Sequence, residues 1–518
     1  MMYWNSTRSF VLLLMALFMT HAPALGQDNA RGPEDPSPRT ANEKGSKEDL
    51  KKQPESKPET ASSDPIKQLT SEIEQLRLLV EQQRLALAEM QKRVDAISGK
   101  AETATATQAP VQPAEVAQTQ RSDPASPPAQ KENKPADKPP IMAGWDSNGA
   151  FLRSADGRFE TKIHGYSQFD YRGYQAGNHP PNTFLVRRAR LTLEGRLHRY
   201  YEFKVESDFA DTTSTLLRDF YLRIHRADEA QLTFGQFRVP FSQEEMRSDG
   251  FQDFVERSMV NNLAPSRSPG LMLSGSINSG IFEYQVGAFN GKGLLAQNNN
   301  STPETAVRLR FNPWKQSKAF LAKGFIFGGA FTQGRTIVGT SVRGQTESRS
   351  FIFFLPDLIS GKYTRANGEL TWMLGPAAIR AEYDQTNQRR EKLGAGNTDL
   401  PGVVAKGYVA QFTYLLTGET KPEARDFTPR RSLFEDEPGK SGFGAWEVKF
   451  RYANLQIDNG TAKSNRAESF FFGPNWYLNR HVRYMLDLGV ERFRDPLRSP
   501  KPGDNNFFVV LSRVQVSY

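Results

Sequence analysis

The chain has 518 residues, a formal net charge of +9 and no cysteine. Its mean hydropathy is negative, and only one segment, near the N-terminus, is continuously apolar. This excludes a helical protein that crosses a membrane many times, because each such helix needs about 20 mostly apolar residues. A membrane β-barrel is not excluded, since its strands alternate apolar and polar side chains.

The first 26 residues have the organisation of a secretory signal peptide. Arg8 supplies a positive charge, residues 10–19 (FVLLLMALFM) form an apolar core, and Ala22, Ala24 and Gly26 are small residues suited to cleavage. The apolar core is too short for a comfortable transmembrane helix. The alternative is an uncleaved N-terminal anchor. We therefore expect export, with cleavage after Ala24 or Gly26.

Residues 27–140 contain three segments of different composition. Residues 27–64 are polar, charged and rich in proline, which predicts disorder. Residues 65–98 follow a heptad pattern, and residues 99–140 form a spacer rich in proline, alanine and glutamine. The heptad a positions are Ile66, Ile73, Val80, Leu87 and Val94, and the d positions are Leu69, Leu76, Gln83, Met90 and Ile97.

This heptad pattern predicts a coiled coil over 65–98, because a 3.5-residue repeat keeps one apolar seam facing a partner. Pro65 precedes the first turn and Gly99 ends the run. A single amphipathic helix packed on another domain is the alternative. Some of the a and d residues favour a dimer, but the set as a whole is also compatible with a trimer.

From residue 141 to residue 518 the chain consists of short alternating runs separated by turn residues. In 185–197, Arg188, Arg190, Thr192, Glu194 and Arg196 share one parity, whereas the other parity is apolar except for Arg187. The runs 201–209 and 219–225 alternate in the same way. Strict period-2 alternation predicts strands with one apolar and one charged face.

Three features favour a membrane barrel over a soluble β-sandwich. The runs are about ten residues long, which suits tilted strands that cross a bilayer. Aromatic residues such as Trp446, Trp476, Tyr477 and Tyr484 flank the runs, as in interfacial girdles. The chain ends in an alternating run closed by Tyr518, similar to the C-terminal strand of bacterial outer-membrane proteins. Residues 141–518 therefore predict an all-β, antiparallel transmembrane barrel of about 16 strands with a water-filled lumen.

Several of these segments resemble the phosphate-selective porin O and P family. The resemblance is carried in order by FLVRRARLTLEGRL, YEFKVESDFAD, DFYLRIH, LTFGQFRVPFSQE and FVERS, and later by AWEVKFRYANLQID, GPNWYLNRHVRYML and LSRVQVSY. It spans most of residues 160–518. It implies a barrel of 16 strands, usually trimeric, with basic side chains in the lumen that attract anions such as phosphate.

The candidate site is the lumen-facing set of basic side chains. Rings of such cations raise the local concentration of anions in a pore, and guanidinium binds phosphate oxygens two at a time. The alternative is pairing across strands with acids such as Glu194, Glu206 or Asp219, which would brace the wall. The candidates are Arg188, Arg190, Arg196, Lys204, Arg223, Arg238, Arg257, Arg267, Arg308 and Arg310, of which Arg238, Arg257 and Arg267 would line a constriction if their loop folds inward.

Enzymatic and nucleic-acid functions find little support in the sequence. The six histidines form no HExxH pattern and no pair at metal-ligand spacing, and without cysteine there is no thiolate site. No catalytic residue, cofactor or metal is therefore expected. Arginines alternate with acids instead of clustering, which disfavours nucleic acid as a partner.

Two functions remain from the sequence. The first is a passive outer-membrane channel for small anionic solutes, with phosphate as one candidate. The second is a structural or adhesive outer-membrane protein tethered through a periplasmic coiled coil. The expected partners are outer-membrane lipid, small anions and further copies of the chain in a homotrimer.

Overall fold

The computed structural model describes residues 141–146, 149–175, 180–211, 216–424, 427–434, 441–461, 465–495, 499–501 and 503–518. The predicted signal peptide, disordered segment, coiled coil and linker, residues 1–140, lie outside the described residues. Within these ranges, no helix combines the length and the apolar character that crossing a membrane would require.

Strands make up most of the described chain, with two single-turn helices, α1 (Gln243–Met246) and α2 (Phe320–Lys323). The strands are β1 Ile141–Asp146, β2 Gly149–Ser154, β3 Glu160–Tyr174, β4 Thr183–Leu197, β5 Tyr201–Asp208, β6 Leu217–Ala227, β7 Ala230–Arg238, β8 Arg267–Ile277, β9 Phe282–Phe289, β10 Glu304–Phe311, β11 Phe325–Thr340, β12 Gly344–Gln345, β13 Ile352–Phe354, β14 Leu358–Leu374, β15 Ala377–Arg390, β16 Leu400–Leu415, β17 Ala445–Asp458, β18 Asn465–Tyr477, β19 Val482–Phe493 and β20 Asn506–Ser517.

The wall is a closed antiparallel barrel of 16 strands, which confirms the predicted fold. Strands β3 to β11 and β14 to β20 each pair with the next in the chain, and β20 pairs with β3 from Val509–Tyr174 to Ser517–Tyr166. The β1–β2 hairpin extends the sheet by pairing with the first residues of β3. Closure leaves the barrel without free edges, so its backbone groups are satisfied inside a bilayer.

Alternation places apolar side chains on the outer face and polar ones in the lumen. On β4, Val186 and Leu191 are exposed whereas Arg188 and Arg190 are buried inside the barrel. Gln168 pairs with Arg188, but the next residue of β3, Phe169, pairs with Val186, so Arg187 is the extra residue of a β-bulge. The bulge turns Arg187 into the lumen and explains its exception to the predicted parity.

The two ends of the barrel differ in loop length. Short turns at 198–200, 228–229, 375–376 and 478–481 lie at the end where β3 begins and β20 finishes. Longer connections such as 239–266 and 341–357 lie at the opposite end, and among the described strands the β16–β17 connection, residues 416–444, is the one comparably long connection at the first end. Outer-membrane barrels have short periplasmic and long extracellular connections. The end with the short turns is therefore the periplasmic end.

Aromatic side chains flank the membrane-facing surface as expected, with one correction. Trp446 and Trp476 stack on the outer face, with ring centroids 5.1 Å apart. Tyr477, predicted for the same girdle, instead faces the lumen, where it is buried and its hydroxyl donates to Glu447 at 2.9 Å. Period-2 alternation accounts for this difference, because neighbours on a strand point to opposite faces.

Candidate functional site

The lumen is crossed by the β7–β8 connection, residues 239–266, which we call the inward loop. It contains α1 and two 3₁₀ turns, Asp249–Phe251 and Met259–Leu263. Its apolar side chains are buried against the lumen face of β16 and β17, where Phe254, Val260 and Leu263 pack in one cluster with Val403 and Leu455. This burial explains why a polar lumen accepts the loop: its apolar side chains leave water by covering apolar wall residues.

Asp249 fastens the inward loop to the first strands of the barrel. Its carboxylate lies 3.0 Å from Arg188, 2.6 Å from Arg190 and 2.6 Å from Arg257. Burial opposes ionisation of Asp249, but these guanidinium groups together hold its pKa well below the ordinary value. Arg238 lies slightly farther away, at 3.5 Å, so the ionised Asp249 pairs with four cations.

Two further carboxylates of the inward loop have similar surroundings. Glu256 lies 2.5 Å from Arg172 and 2.5 Å from Arg187, the bulge residue of β4. Asp253 lies 3.1 Å from Arg247 and 2.8 Å from Arg380 on β15. Burial opposes ionisation of both acids, yet the neighbouring cations lower both pKa values well below the ordinary range.

A second segment enters the lumen from the periplasmic end and meets the inward loop. It belongs to the β16–β17 connection, and we call residues 419–424 the periplasmic segment. Lys421 is buried, lies 2.7 Å from Asp253 and pairs with Glu447 on β17. The backbone carbonyl of Glu423 accepts a hydrogen bond from Arg380 at 3.0 Å. The inward loop and the periplasmic segment therefore enter the lumen from opposite ends and meet at the same depth.

A cavity of about 350 Å³ lies at this level, and we call it the cationic chamber. Glu423 is the one carboxylate among its lining residues. Polar groups of Gln243, Ser248 and Thr371 also line it. Its basic lining residues are Lys204, Arg238, Arg247, Arg310 and Arg380.

The acids that pair with these cations belong mostly to the surrounding wall and loop, outside the lining of the chamber. Lys204 lies 3.2 Å from Glu206 and 3.4 Å from Asp219, and Arg310 lies 2.8 Å from Glu283. A small solute inside the chamber therefore meets cations first. Their field is strong there because the surrounding protein has a low dielectric constant.

Cavities on both sides of the chamber are also bordered by cations. The cavity towards the extracellular end has a volume of about 290 Å³ and is lined by Arg267, Lys292, Arg343 and Arg365 with one acid, Glu304. The cavity at the periplasmic end has a volume of about 860 Å³. Its charged residues are mixed and comprise Lys162, Glu194, Lys204, Glu206, Glu419, Arg430 and Arg480. Lys204 lines both this cavity and the chamber.

The ten predicted cations fall into different places, and each has a carboxylate within 4.0 Å. Lys204, Arg238 and Arg310 line the chamber, and Arg267 lines the outer cavity. Those that hold the inward loop or brace the wall are Arg188, Arg190, Arg257 and Arg308, the last at 2.7 Å from Glu369. Arg196 and Arg223 lie towards the periplasmic end, paired with Glu160 and Glu202.

The basic residues that the sequence interpretation missed include Arg247, Arg380 and Lys421. Arg380 alternates with apolar residues in the run AAIRAEYD of β15, so its parity marks it as lumen-facing. Arg247 and Lys421 lie in connections, where no periodicity applies. The signal for the inward loop is its composition, since FQDFVERSMVNNL mixes acids with large apolar residues that a solvated loop rarely carries.

The arrangement provides for binding and passage of anions. Guanidinium and ammonium groups donate charge-assisted hydrogen bonds to oxyanions. Among the described residues, no group of three or more histidine, aspartate or glutamate side chains is placed to hold a metal ion.

Comparison with known proteins agrees with this architecture. The model of the family "Phosphate-selective porin O and P" matches residues 161–518. Porin O of Pseudomonas aeruginosa is 23% identical over 382 residues, which cover 65% of this chain and 83% of that protein.

Two solved structures also match the chain at low identity. The trimer form of OmpT of Vibrio cholerae has a TM-score of 0.46 at 10% identity, covering 69% of this chain and 99% of that one. An anion-selective porin from Comamonas acidovorans has a TM-score of 0.44 at 12% identity, with 69% and 99% coverage. On the strength of the family match, the chain belongs to the phosphate-selective porin O and P family and is an outer-membrane porin.

Proposed function

We propose that the chain forms a passive channel for small anions, and that the cationic chamber is its selectivity site, with oxyanions such as phosphate as preferred solutes. One observation carries the proposal: five cations and one carboxylate line a cavity of the lumen to which both the inward loop and the periplasmic segment contribute residues. Cations fixed in a low-dielectric passage raise the local concentration of anions and exclude cations. Fixed guanidinium groups also favour planar or tetrahedral oxyanions over chloride, since they bind two oxygens at once.

The ionic path runs through the three cavities in series. Anions enter the outer cavity beside Arg267 and Arg365, pass the inward loop into the chamber, and leave past Lys204 into the wider periplasmic cavity. Each cation of the chamber is already paired, so its hold on a passing anion is moderate. A channel needs this balance, because solutes must bind well enough to enter and weakly enough to leave.

Planar-bilayer recordings of the purified protein test the proposal. In unequal KCl, the reversal potential should show anion preference, and added inorganic phosphate should reduce the chloride current. The double substitution Lys204→Gln and Arg310→Gln should lower the anion preference and weaken the phosphate effect. The matched control is Arg196→Gln with Arg223→Gln, which removes two paired cations outside the chamber lining.

Three results would contradict the proposal at different levels. Absence of conductance would reject the channel, and cation preference would reject the anion selectivity. Equal loss in the test and control variants would show that net charge, and not the chamber, sets the preference.

Two further features of the assembly are part of the proposal. We propose that residues 65–98 form a periplasmic coiled coil and that the protein is a homotrimer. The heptad pattern supports the coil, and the entry of the described chain at the periplasmic end supports its location. Mass measurement of the detergent-solubilised protein, with and without residues 27–140, tests both proposals. The full chain should have the mass of three copies. Fewer copies per particle after the deletion would assign the assembly to the coil.

A further inference from the structure

The β10–β11 connection, residues 312–324, differs from the other short connections at the periplasmic end. We call it the basic turn; it contains α2 (Phe320–Lys323). The carbonyl of Leu321 accepts a hydrogen bond from the indole of Trp372 at 2.8 Å. Trp372 pairs across the sheet with Phe325, and the two rings lie 6.0 Å apart. The basic turn is thus fixed to the outer surface of the wall by aromatic side chains.

The basic turn presents large apolar side chains that no described residue covers. Phe320 and Leu321 are each 62% exposed and Trp314 is 47% exposed. Trp314 contacts Phe325, with ring centroids 5.8 Å apart, and Phe325 continues to Phe327 on the membrane-facing surface. The exposed group therefore continues the apolar band of the wall towards the periplasm.

Three lysines flank this apolar group. Lys315, Lys318 and Lys323 are all exposed, and none lies within 4.0 Å of a carboxylate in the part of the chain that the structure describes. This sets them apart from the five cations of the cationic chamber, which are all paired. Lysine stems extend along apolar surface while the ammonium groups stay at the level of polar headgroups. Free cations above exposed apolar side chains are typical of a surface that binds anionic lipid.

We infer that the basic turn is a binding site for anionic phospholipid of the periplasmic leaflet. Phe320 and Leu321 insert between acyl chains, and Lys315, Lys318 and Lys323 contact the headgroup phosphates. Charge complementarity selects this occupant, because a zwitterionic lipid would satisfy the apolar side chains but leave three ammonium groups without a net opposite charge. The site lies on the outer wall, apart from the lumen, and does not depend on the selectivity of the channel.

A fluorescence experiment in proteoliposomes tests the inference. The chain has no cysteine, so Gln316→Cys gives a single attachment point for a bimane label within the basic turn. Two preparations of phosphatidylcholine vesicles are compared. One contains phosphatidylglycerol brominated near the headgroup, and the other contains the same mole fraction of phosphatidylcholine brominated at the same position. Since one basic residue near an anionic surface favours binding about fivefold, brominated phosphatidylglycerol should quench the label at least about fivefold more effectively.

The triple substitution of Lys315, Lys318 and Lys323 by Gln should abolish this difference and leave the conductance unchanged. Lys362→Gln, an exposed lysine on β14, is the control and should retain the preference. If the two brominated lipids quench the label equally in the protein that keeps all three lysines, the inference is wrong. Quenching by neither lipid would also overturn it, because another protein surface would then cover the turn.

Discussion

Asp249 is one of the residues that fix the position of the inward loop. Its carboxylate is the common partner of Arg188, Arg190 and Arg257. Asp249→Asn keeps the shape of the side chain but leaves three buried guanidinium groups without their shared anion. Removing one partner of a buried ion pair costs about 3–5 kcal/mol. We expect a loop that is cleaved faster by trypsin and a channel with noisier current, while the barrel itself stays folded on semi-native gels.

Asp504→Asn provides the comparison for Asp249→Asn, because Asp504 forms a longer, partly exposed pair with Lys501 at 3.9 Å. Such a pair contributes under about 1 kcal/mol. Similar loop cleavage in both variants would show that Asp249 does not hold the loop.

The carboxylates of the inward loop also predict how the channel responds to acid. The pKa values of Asp249, Asp253 and Glu256 are lower in the folded protein than in the unfolded chain, because the surrounding cations outweigh burial. Their stabilisation is therefore fully present above the unfolded value, about 4, and is lost as pH falls through the lower folded values. Hydrogen exchange at the backbone amides around Asp249, corrected for its intrinsic pH dependence, should therefore show constant protection between pH 7 and pH 4. Loss of this protection near pH 5 would contradict the assignment.

At the level of elements, Lys421 joins the periplasmic segment to the inward loop. Its ammonium group pairs with both Asp253 on the inward loop and Glu447 on β17. Lys421→Ala should release the segment at a cost of about 3 kcal/mol and raise the single-channel conductance. Lys501→Ala removes an exposed lysine of the β19–β20 connection and is the matched control. Unchanged conductance in Lys421→Ala would mean that the segment does not restrict the pore.

The elements differ in how far the sequence predicts them. Alternation over 185–197 predicts β4 and the lumen direction of Arg188 and Arg190, because period 2 is a local property of the strand. The bulge at Arg187 depends on pairing with β3, so its inward direction shows only as a break in the pattern. The approximate number of strands follows from length and from the family resemblance.

The interior of the barrel was harder to predict than its wall. The inward loop and the periplasmic segment meet where Asp253 pairs with Lys421 at 2.7 Å. These two residues are 168 positions apart in the sequence. No local pattern encodes such a contact. The sequence therefore proposed basic side chains of the lumen as one class, but it did not separate those that line the chamber from those that hold the loop.

At the scale of the whole barrel, closure depends on the close approach of β3, β4 and the C-terminal residue. Gly165 exchanges backbone hydrogen bonds with Tyr518 at 2.7 and 2.9 Å. A Cβ at Gly165 would lie 2.1 Å from the carbonyl oxygen of Arg190 and 2.9 Å from the ring of Tyr518. Gly165→Ala should therefore destabilise the closed barrel by about 1–3 kcal/mol, measured as a lower midpoint of urea unfolding in detergent.

The control for closure is Gly368→Ala on β14, where a Cβ would meet no atom within 4 Å. This variant should unfold at the same urea concentration as the unsubstituted protein. An equal shift in both variants would assign the effect to strand flexibility and not to the contact at the seam.

The unequal cavities on the two sides of the chamber have an electrical consequence. The extracellular cavity is lined by four cations and one acid, whereas the periplasmic cavity is lined by four cations and three acids, so net positive charge is greater on the extracellular side. A pore with more fixed positive charge at one end accumulates mobile anions under one voltage polarity and is depleted of them under the other. The current–voltage curve of a single oriented pore is therefore expected to bend, as in an ionic diode, with the larger current when anions flow from outside to periplasm.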